Sequence, residues 1–516
     1  MSDTASRTPE PGQHSPAPDG GSAAADREDS EYLRQLGVEP RFKRALGFFT
    51  GSLFAIAFQG PTTGALLLTG ATVALGGPAF IWAIPIIFAL QLLLALTWAE
   101  LSSHYPLTGG IYQWASRLGG DFLGWMTGLF YLVAIVLVMP AVGQVVSVIL
   151  SSLFTSLTLT TATVAVISII TILLAAVLMA TNVRVVAILN SIGVVLELVV
   201  LLGAAIALLF HTHQGLSVLT KTGGVQGTGS YLFPFLVIIA LVVTQLVGFE
   251  TAGAFAEETT KSRIKPSQAI IAGLGGTALI LFIFDFALLL AIPGVGPAMK
   301  DEALIPDVLT KALGSGFTKL FLVAALIAVF STAVATLATI VRMIYGMARN
   351  NQLPGAGFLT KLSGRTSEPI GAIIVAAVLS VVPLIFIKRI PVIVAAITAL
   401  IIIPYILVLA AQLVRRLRGW PQQPAKFNLG KWGLPVTVAG LVWTVIILLD
   451  SAWPRDVTNP KLGPLPVIED LGIGIIVVGV IWWLLASLRG KSQSLPPVTR
   501  TAGPTQPPAP AAQEPQ

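Results

Sequence analysis

Cysteine is absent from the 516-residue chain, which excludes disulfides, zinc ribbons and thiol catalysis. Histidine is scarce. The four are His14, His104, His211 and His213, with no HExxH pairing. The i,i+2 pair His211 and His213 sits in a polar loop and is a weak metal signal, so neither a metal nor a cofactor is expected. No nucleophile–base pattern stands out, which argues against an enzyme. Charge is scarce as well: 11% of residues are Asp, Glu, Lys or Arg, against about 25% in soluble domains. A cleavable leader is not visible either, because the chain is polar up to its first apolar run.

What is present is hydrophobic length. Fully 55% of residues are hydrophobic and the mean hydropathy is +0.85. From Ala45 to Ala99 there are 55 consecutive residues without a charge, and from Phe122 to Val183 there are 62. About 20 apolar residues cross a bilayer core as a helix, so each stretch holds two crossings and a turn. The reading is an all-α polytopic membrane protein with twelve spans near 46–74, 78–101, 121–150, 160–181, 185–210, 231–257, 267–292, 317–349, 369–387, 390–414, 433–450 and 470–488. Pro-, Ser- and Gly-rich composition makes 1–44 a disordered tail and pre-helix segment, and 491–516 a second disordered tail.

Lys and Arg orient the spans. With a cytoplasmic N-terminus, 23 of the 31 fall on the inner side and 8 on the outer. That asymmetry places both termini in the cytoplasm of a multi-pass protein. The net charge of +7 is then a topology signal, and no nucleic-acid partner is expected.

The first span carries the most information. Gly47–Ala74 is 28 residues, about 42 Å of helix, too long for a ~30 Å core without strong tilt. Its centre reads Gln59-Gly60-Pro61-Thr62-Thr63-Gly64, and Pro61 removes a backbone donor. The sixth span holds a similar interruption, Gly248-Phe249-Glu250-Thr251-Ala252-Gly253, 188 residues later. Unwound backbone at membrane depth must line a cavity or a protein contact. Paired interruptions five helices apart point to an inverted-repeat transporter with a site at mid-depth. A kink or a close helix contact is the other reading of either break alone.

The segment Ala99-Glu100-Leu101-Ser102-Ser103-His104-Tyr105-Pro106, continued by Gly109-Gly110-Ile111-Tyr112-Gln113-Trp114, resembles the loop after the second helix of amino acid permeases. Glu257-Glu258-Thr259 with Pro266, and Met347-Ala348-Arg349-Asn350-Asn351-Gln352-Leu353-Pro354, are further matches. The resemblance is to the amino acid–polyamine–organocation superfamily, closest to its amino acid/choline (GABA permease-like) branch, and covers about residues 45 to 490. It implies a LeuT-type 5+5 inverted repeat with discontinuous helices 1 and 6. Residues 45–414 would form the transport core (helices 1–10), and 415–490 the peripheral helices 11–12. It also implies secondary active transport of an amino acid or amine across the plasma membrane. The first break would hold a substrate carboxylate at Gly60, Thr62, Thr63 and Gly64, and the second an ammonium at Val247 and Gly248. Phe249 would cover the substrate or simply pack, and Glu250 would bind, gate or carry a proton.

Glu197 is an intramembrane carboxyl in the apolar run Ile192–Leu209, with Asn190 two turns earlier on nearly the same face. It is the expected proton carrier, a structural hydrogen bond being the other reading. Asp285 is nearer the outer interface and reads as structural or solvated. Sodium is the rival coupling ion, with Ser331 and Thr332 as its candidate hydroxyl pair. Glu257, Glu258, Lys261 and Arg263 are expected either to pair as an inner gate or to form a solvated face. Choline, polyamine or GABA cargo, an exchanger and a transporter-like nutrient sensor remain open.

Overall fold

A computed structural model describes residues 20–488 apart from 40, 41, 43, 45, 155, 182, 302, 365, 387–389, 456–458 and 461–464. The described chain is helical, with isolated bridges as its only β pairing. Its main helices are α1 Gly20–Gln35, α2 Phe48–Gln59, α3 Pro61–Gly64, α4 Gly70–Gly76, α5 Ala83–His104, α6 Ile111–Gly119, α7 Asp121–Leu153, α8 Thr161–Met179 and α9 Val183–Leu209. There follow α10 Leu232–Gln245, α11 Thr251–Ala254, α12 Lys265–Ala291, α13 Leu304–Arg349, α14 Ile370–Val381, α15 Ile390–Leu417, α16 Gly433–Ala452 and α17 Val467–Leu488. Within α13, Gly314 is non-helical and bends the rod.

Among the described residues, ten helices are long and apolar enough to cross a membrane, counting Phe48–Gly76 as one; α10 and α14 are shorter. The protein is a multi-pass membrane protein. At its centre α7 packs against both α13 and α15, with α2, α5, α9 and α12 around them. α17 touches only α7 and α15 among the larger contacts and lies at the rim. On α8, Val166, Ile170, Leu173, Leu174 and Val177 form an exposed apolar stripe at helical spacing. Such a stripe on a chain this poor in charge is a lipid-facing surface.

Both interruptions are present. α2 ends because Gly60 turns left-handed (φ 56°, ψ 66°), and Pro61 restarts the chain as α3. A π-turn, Ala65–Thr69, follows before α4. α10 ends at Gln245, the chain unwinds, and Gly248 takes φ 92° before α11 begins. A Cβ on Gly248 would lie 2.2 Å from Cδ1 of Phe58, so glycine here lets the two breaks touch.

The N-terminal segment differs from the sequence expectation. Residues 20–35, read as part of a disordered tail, form α1. The Pro-rich composition ends at Pro18, and the Ala, Glu, Arg and Leu that follow favour helix. Leu33, Leu36 and Val38 bury themselves against Leu107. Tyr32 donates to the His104 carbonyl (3.0 Å), and Arg117 donates to the Leu36 carbonyl (2.6 Å). The expected C-terminal tail, 491–516, lies outside the described residues, as do residues 1–19.

Gly248→Ala adds a clash and forces a left-handed L-residue, a destabilisation of more than about 1 kcal/mol. The expected outcome is a lower midpoint for heat-induced loss of the monodisperse, detergent-solubilised protein than in the wild type.

Candidate functional site

Breaking a helix frees peptide groups, and the first break shows where one of them goes. The Thr62 amide donates to Oε1 of Glu197 on α9 at 2.7 Å. Both residues are fully buried. Glu197 Oε2 has no partner. The carboxylate and the break, read separately from sequence, therefore form one unit. The amide assigned above to a substrate carboxylate is already held by the protein's own. An ionised acceptor at the start of a half-helix gains a charge-assisted bond and the favourable end of the helix dipole.

The hydroxyl pair on α13 divides. Thr63 donates to Oγ1 of Thr332 (3.2 Å), so Thr332 faces the first break. Ser331 turns the other way and donates to Oδ1 (2.9 Å) and the carbonyl (3.2 Å) of Asn190. Asn190 and Glu197 thus use one face of α9 to hold α13 and α3, as their seven-residue spacing requires.

At the second break, Glu250 Oε1 accepts from the Tyr131 hydroxyl on α7 at 2.6 Å. The Gly248 carbonyl accepts from the Thr251 amide (3.1 Å) and hydroxyl (2.7 Å). Gln91 on α5 donates to the Leu246 carbonyl at 3.1 Å. Phe249 is fully buried in the core. Glu250, Gly248 and Phe249 consequently face protein rather than open space.

A cavity of about 60 Å³ lies between the breaks. Phe58, Gln59, Thr63 and Gly64 line it from the first break, Thr244, Gln245 and Val247 from the second, and Thr332 from α13. Val138 of α7 and Ile397 of α15 are among the residues that close it. Of the residues singled out from sequence, Thr63, Gly64, Val247 and Thr332 are in its wall. Gly60, Thr62, Glu197, Gly248, Phe249, Glu250 and Ser331 are not among its lining residues. Sequence reasoning passed over Gln59, Thr244 and Gln245. The two glutamines carried a signal, since a carboxamide inside an apolar span and next to a helix break is costly unless something uses it.

Asp285 is also fully buried rather than solvated, its Oδ1 accepting from Thr69 at 3.1 Å. Below the second break, Glu257 and Glu258 do form ion pairs, but with partners other than the expected Lys261 and Arg263. Arg349 holds Glu257 through two 3.0 Å bonds, and Glu257 also accepts the Thr108 amide at 2.7 Å. Arg342 donates to Glu258 (2.8 and 3.0 Å) and to Glu368 (3.1 Å), all three buried. Burial raises the Glu368 carboxyl above the usual range, with Arg342 pulling the other way and the Glu258 charge adding to the rise. Phe54 meets Phe255 at 4.4 Å between centroids, and the Arg342 guanidinium sits 5.3 Å over Phe255. These contacts close this side of the bundle. Lys261 and Arg263 meet α1 instead, the first through its amide to Asp26 (3.0 Å), the second through Glu28 (3.4 Å).

Comparison with known proteins gives a consistent result. Residues 46–485 match the family model described as amino acid permease. An uncharacterized amino-acid permease of Schizosaccharomyces pombe is 22% identical, over 92% of this chain and 88% of its own. Amino-acid permease BAT1 of Arabidopsis thaliana is 24% identical, over 88% of this chain and 94% of its own. A low-affinity putrescine importer of Escherichia coli, PlaP, is 23% identical over 52% of this chain and 60% of its own.

Arg342→Met leaves two buried carboxylates without their cation and should destabilise the protein by about 3–5 kcal/mol. Combining it with Glu258→Gln and Glu368→Gln removes the stranded charges. Heat resistance in detergent is expected to fall sharply in the single variant and to recover substantially in the triple one.

Proposed function

The chain belongs to the amino acid permease family, a transporter family of the amino acid–polyamine–organocation superfamily, and from that premise we propose proton-coupled uptake of an amino acid or related amine. The cavity between the two breaks is the proposed binding site, in the plasma membrane, with both termini cytoplasmic. Twelve crossings follow if α10 with α11, and α14 with the residues after it, are counted as spans. The LeuT-type inverted repeat then relates the first five to the next five, with the two broken helices as counterparts. Transport proceeds by alternating access around the fixed cavity.

The bond from Thr62 to Glu197 carries the coupling argument. A carboxylate is a strong acceptor for that amide, and protonation weakens it. Proton occupancy and the position of the half-helix are therefore linked, and what binds beside Thr63 and Gly64 shares that linkage. A substrate carboxylate has the cavity face of Thr63 as its place, the Thr62 amide being held by Glu197 and the Gly64 amide by the Gly60 carbonyl (2.8 Å). Inward release requires the Arg342 and Arg349 ion pairs to separate, which makes them the inner gate. Ser331, engaged with Asn190, is turned away from the first break, and this favours the proton over sodium. The putrescine importer among the relatives, together with the occupied Thr62 amide, favours a diamine as the second cargo reading.

Uptake of labelled amino acids and amines into proteoliposomes, with a pH gradient or a sodium gradient imposed separately, tests the proposal. Accumulation is expected to follow the pH gradient. Glu197→Gln should abolish gradient-driven accumulation while leaving exchange of substrate across the membrane. Wild-type accumulation by that variant under the pH gradient would overturn the assignment, and dependence on sodium alone would overturn the proton.

A further inference from the structure

Two carboxamides at the cavity have no part in the scheme above. Gln59 is the last residue of α2 and Gln245 the last of α10, so one stands at the edge of each break. Both side chains line the cavity. They are 7% and 4% exposed. The Nε2 of Gln59 donates to the Ala55 carbonyl at 3.1 Å, which fixes the orientation of the group and leaves Oε1 as its free end. Gln245 lies against the first break, where a Cβ on Gly64 would come within 3.1 Å of its Oε1. That oxygen is also buried without a partner.

A buried carbonyl oxygen without a donor carries an unrecovered desolvation cost, and this cavity wall holds two of them. The cost is recovered when a donor arrives. Among the described residues, the wall carries no charged side chain. Its hydroxyls are committed in part, Thr63 to Thr332 and Thr244 to Thr398. An apolar pocket with two free acceptors suits a ligand that brings N–H groups and positive charge. We propose that Gln59 and Gln245 are specificity-determining residues whose carboxamide oxygens bind the protonated primary amine of the cargo. The pair then rejects quaternary ammonium compounds, which match the charge and offer no N–H. Sites built to hydrogen-bond a ligand reject analogues lacking the group by large factors, here at least about a hundredfold.

The inference rests on the transport reading, and the experiment separates the two. Full-length protein in proteoliposomes is offered labelled L-alanine, putrescine, GABA and choline. The expected result is uptake of at least one primary amine, uninhibited by a hundredfold excess of choline. Gln59→Met and Gln245→Met, nearly isosteric, should each raise the apparent KM for that amine at least tenfold and leave kcat within twofold. Gln→Asn at each position, which withdraws the oxygen by one methylene, is the second variant and should act in the same direction. Gln245→Glu should lower the apparent KM for putrescine relative to L-alanine. An unchanged KM in the Met and Asn variants at both positions, or choline competing as well as the amine, overturns the carboxamide pair and leaves transport standing. Absence of uptake of every probe by the wild type overturns the transport reading, and this inference with it.

Discussion

An amide that loses its helical acceptor inside hydrocarbon must be answered by something, because no water is there to do so. At Thr62 the answer is a carboxylate from a helix 135 residues further along the chain. This bond depends on Gly60 going left-handed and on Pro61 having no donor to offer, so the first free N–H of the half-helix belongs to Thr62. It also depends on α9 presenting Glu197 at that depth, which Asn190 secures by holding Ser331 one face over. Break, carboxylate and hydroxyl pair form one polar unit, and the apolar bundle is arranged around it. At the second break the freed carbonyls are answered by Thr251, three residues on, and by Gln91 of α5, while Tyr131 holds the Glu250 carboxyl.

The opposite treatment of charge is found below the breaks. Three arginine–carboxylate pairs, Arg342 with Glu258 and with Glu368 and Arg349 with Glu257, are buried or nearly so, and Glu258 and Glu257 are each held by two bonds. Buried ion pairs are weak sources of net stability, since desolvation offsets much of the attraction. In the proposed inner gate each pair would be satisfied by its partner when closed and by water when open. α1 braces this side of the bundle from outside. It ties the loop after α5, the turn before α12 and Lys426 to one short helix through Tyr32, Arg263 and Glu28. The first span joins this side too, Leu46 exchanging backbone bonds with Glu258 (3.0 Å) and Thr260 (2.9 Å).

What could be read from sequence was local, and what could not was long-range. Gly60-Pro61 and Gly248 announce their breaks because glycine and proline have few other reasons to interrupt such apolar spans. The shared face of Asn190 and Glu197 follows from helical spacing alone. The partners of Glu257 and Glu258 did not, because Arg342 and Arg349 lie more than 80 residues away and nearer cations were available in Lys261 and Arg263. α1 was obscured by the composition of the residues before it. Gln59 and Gln245 were in plain view, yet carboxamides carry no charge and draw less attention than a buried glutamate. The depth of each side chain, which separates the cavity wall from the residues outside it, is a property of packing and has no one-dimensional trace.

The two short helices and the cavity are the same fact seen twice. α10 has 14 residues, about 21 Å of helix, and falls short of a ~30 Å hydrocarbon core. A helix that stops there leaves its last carbonyls inside the membrane, where the residues up to α11 must fold back to satisfy them. Those residues cannot do so and also fill the space that a continuous helix would occupy. α2 and α3 meet the same constraint from the other break, with Gly64 kept bare against Gln245. The volume left between two such interruptions is lined by the residues that end the helices, which are Gln59 and Gln245. A pocket with polar groups at its edges and apolar walls from α7 and α15 is therefore what the shortened helices produce.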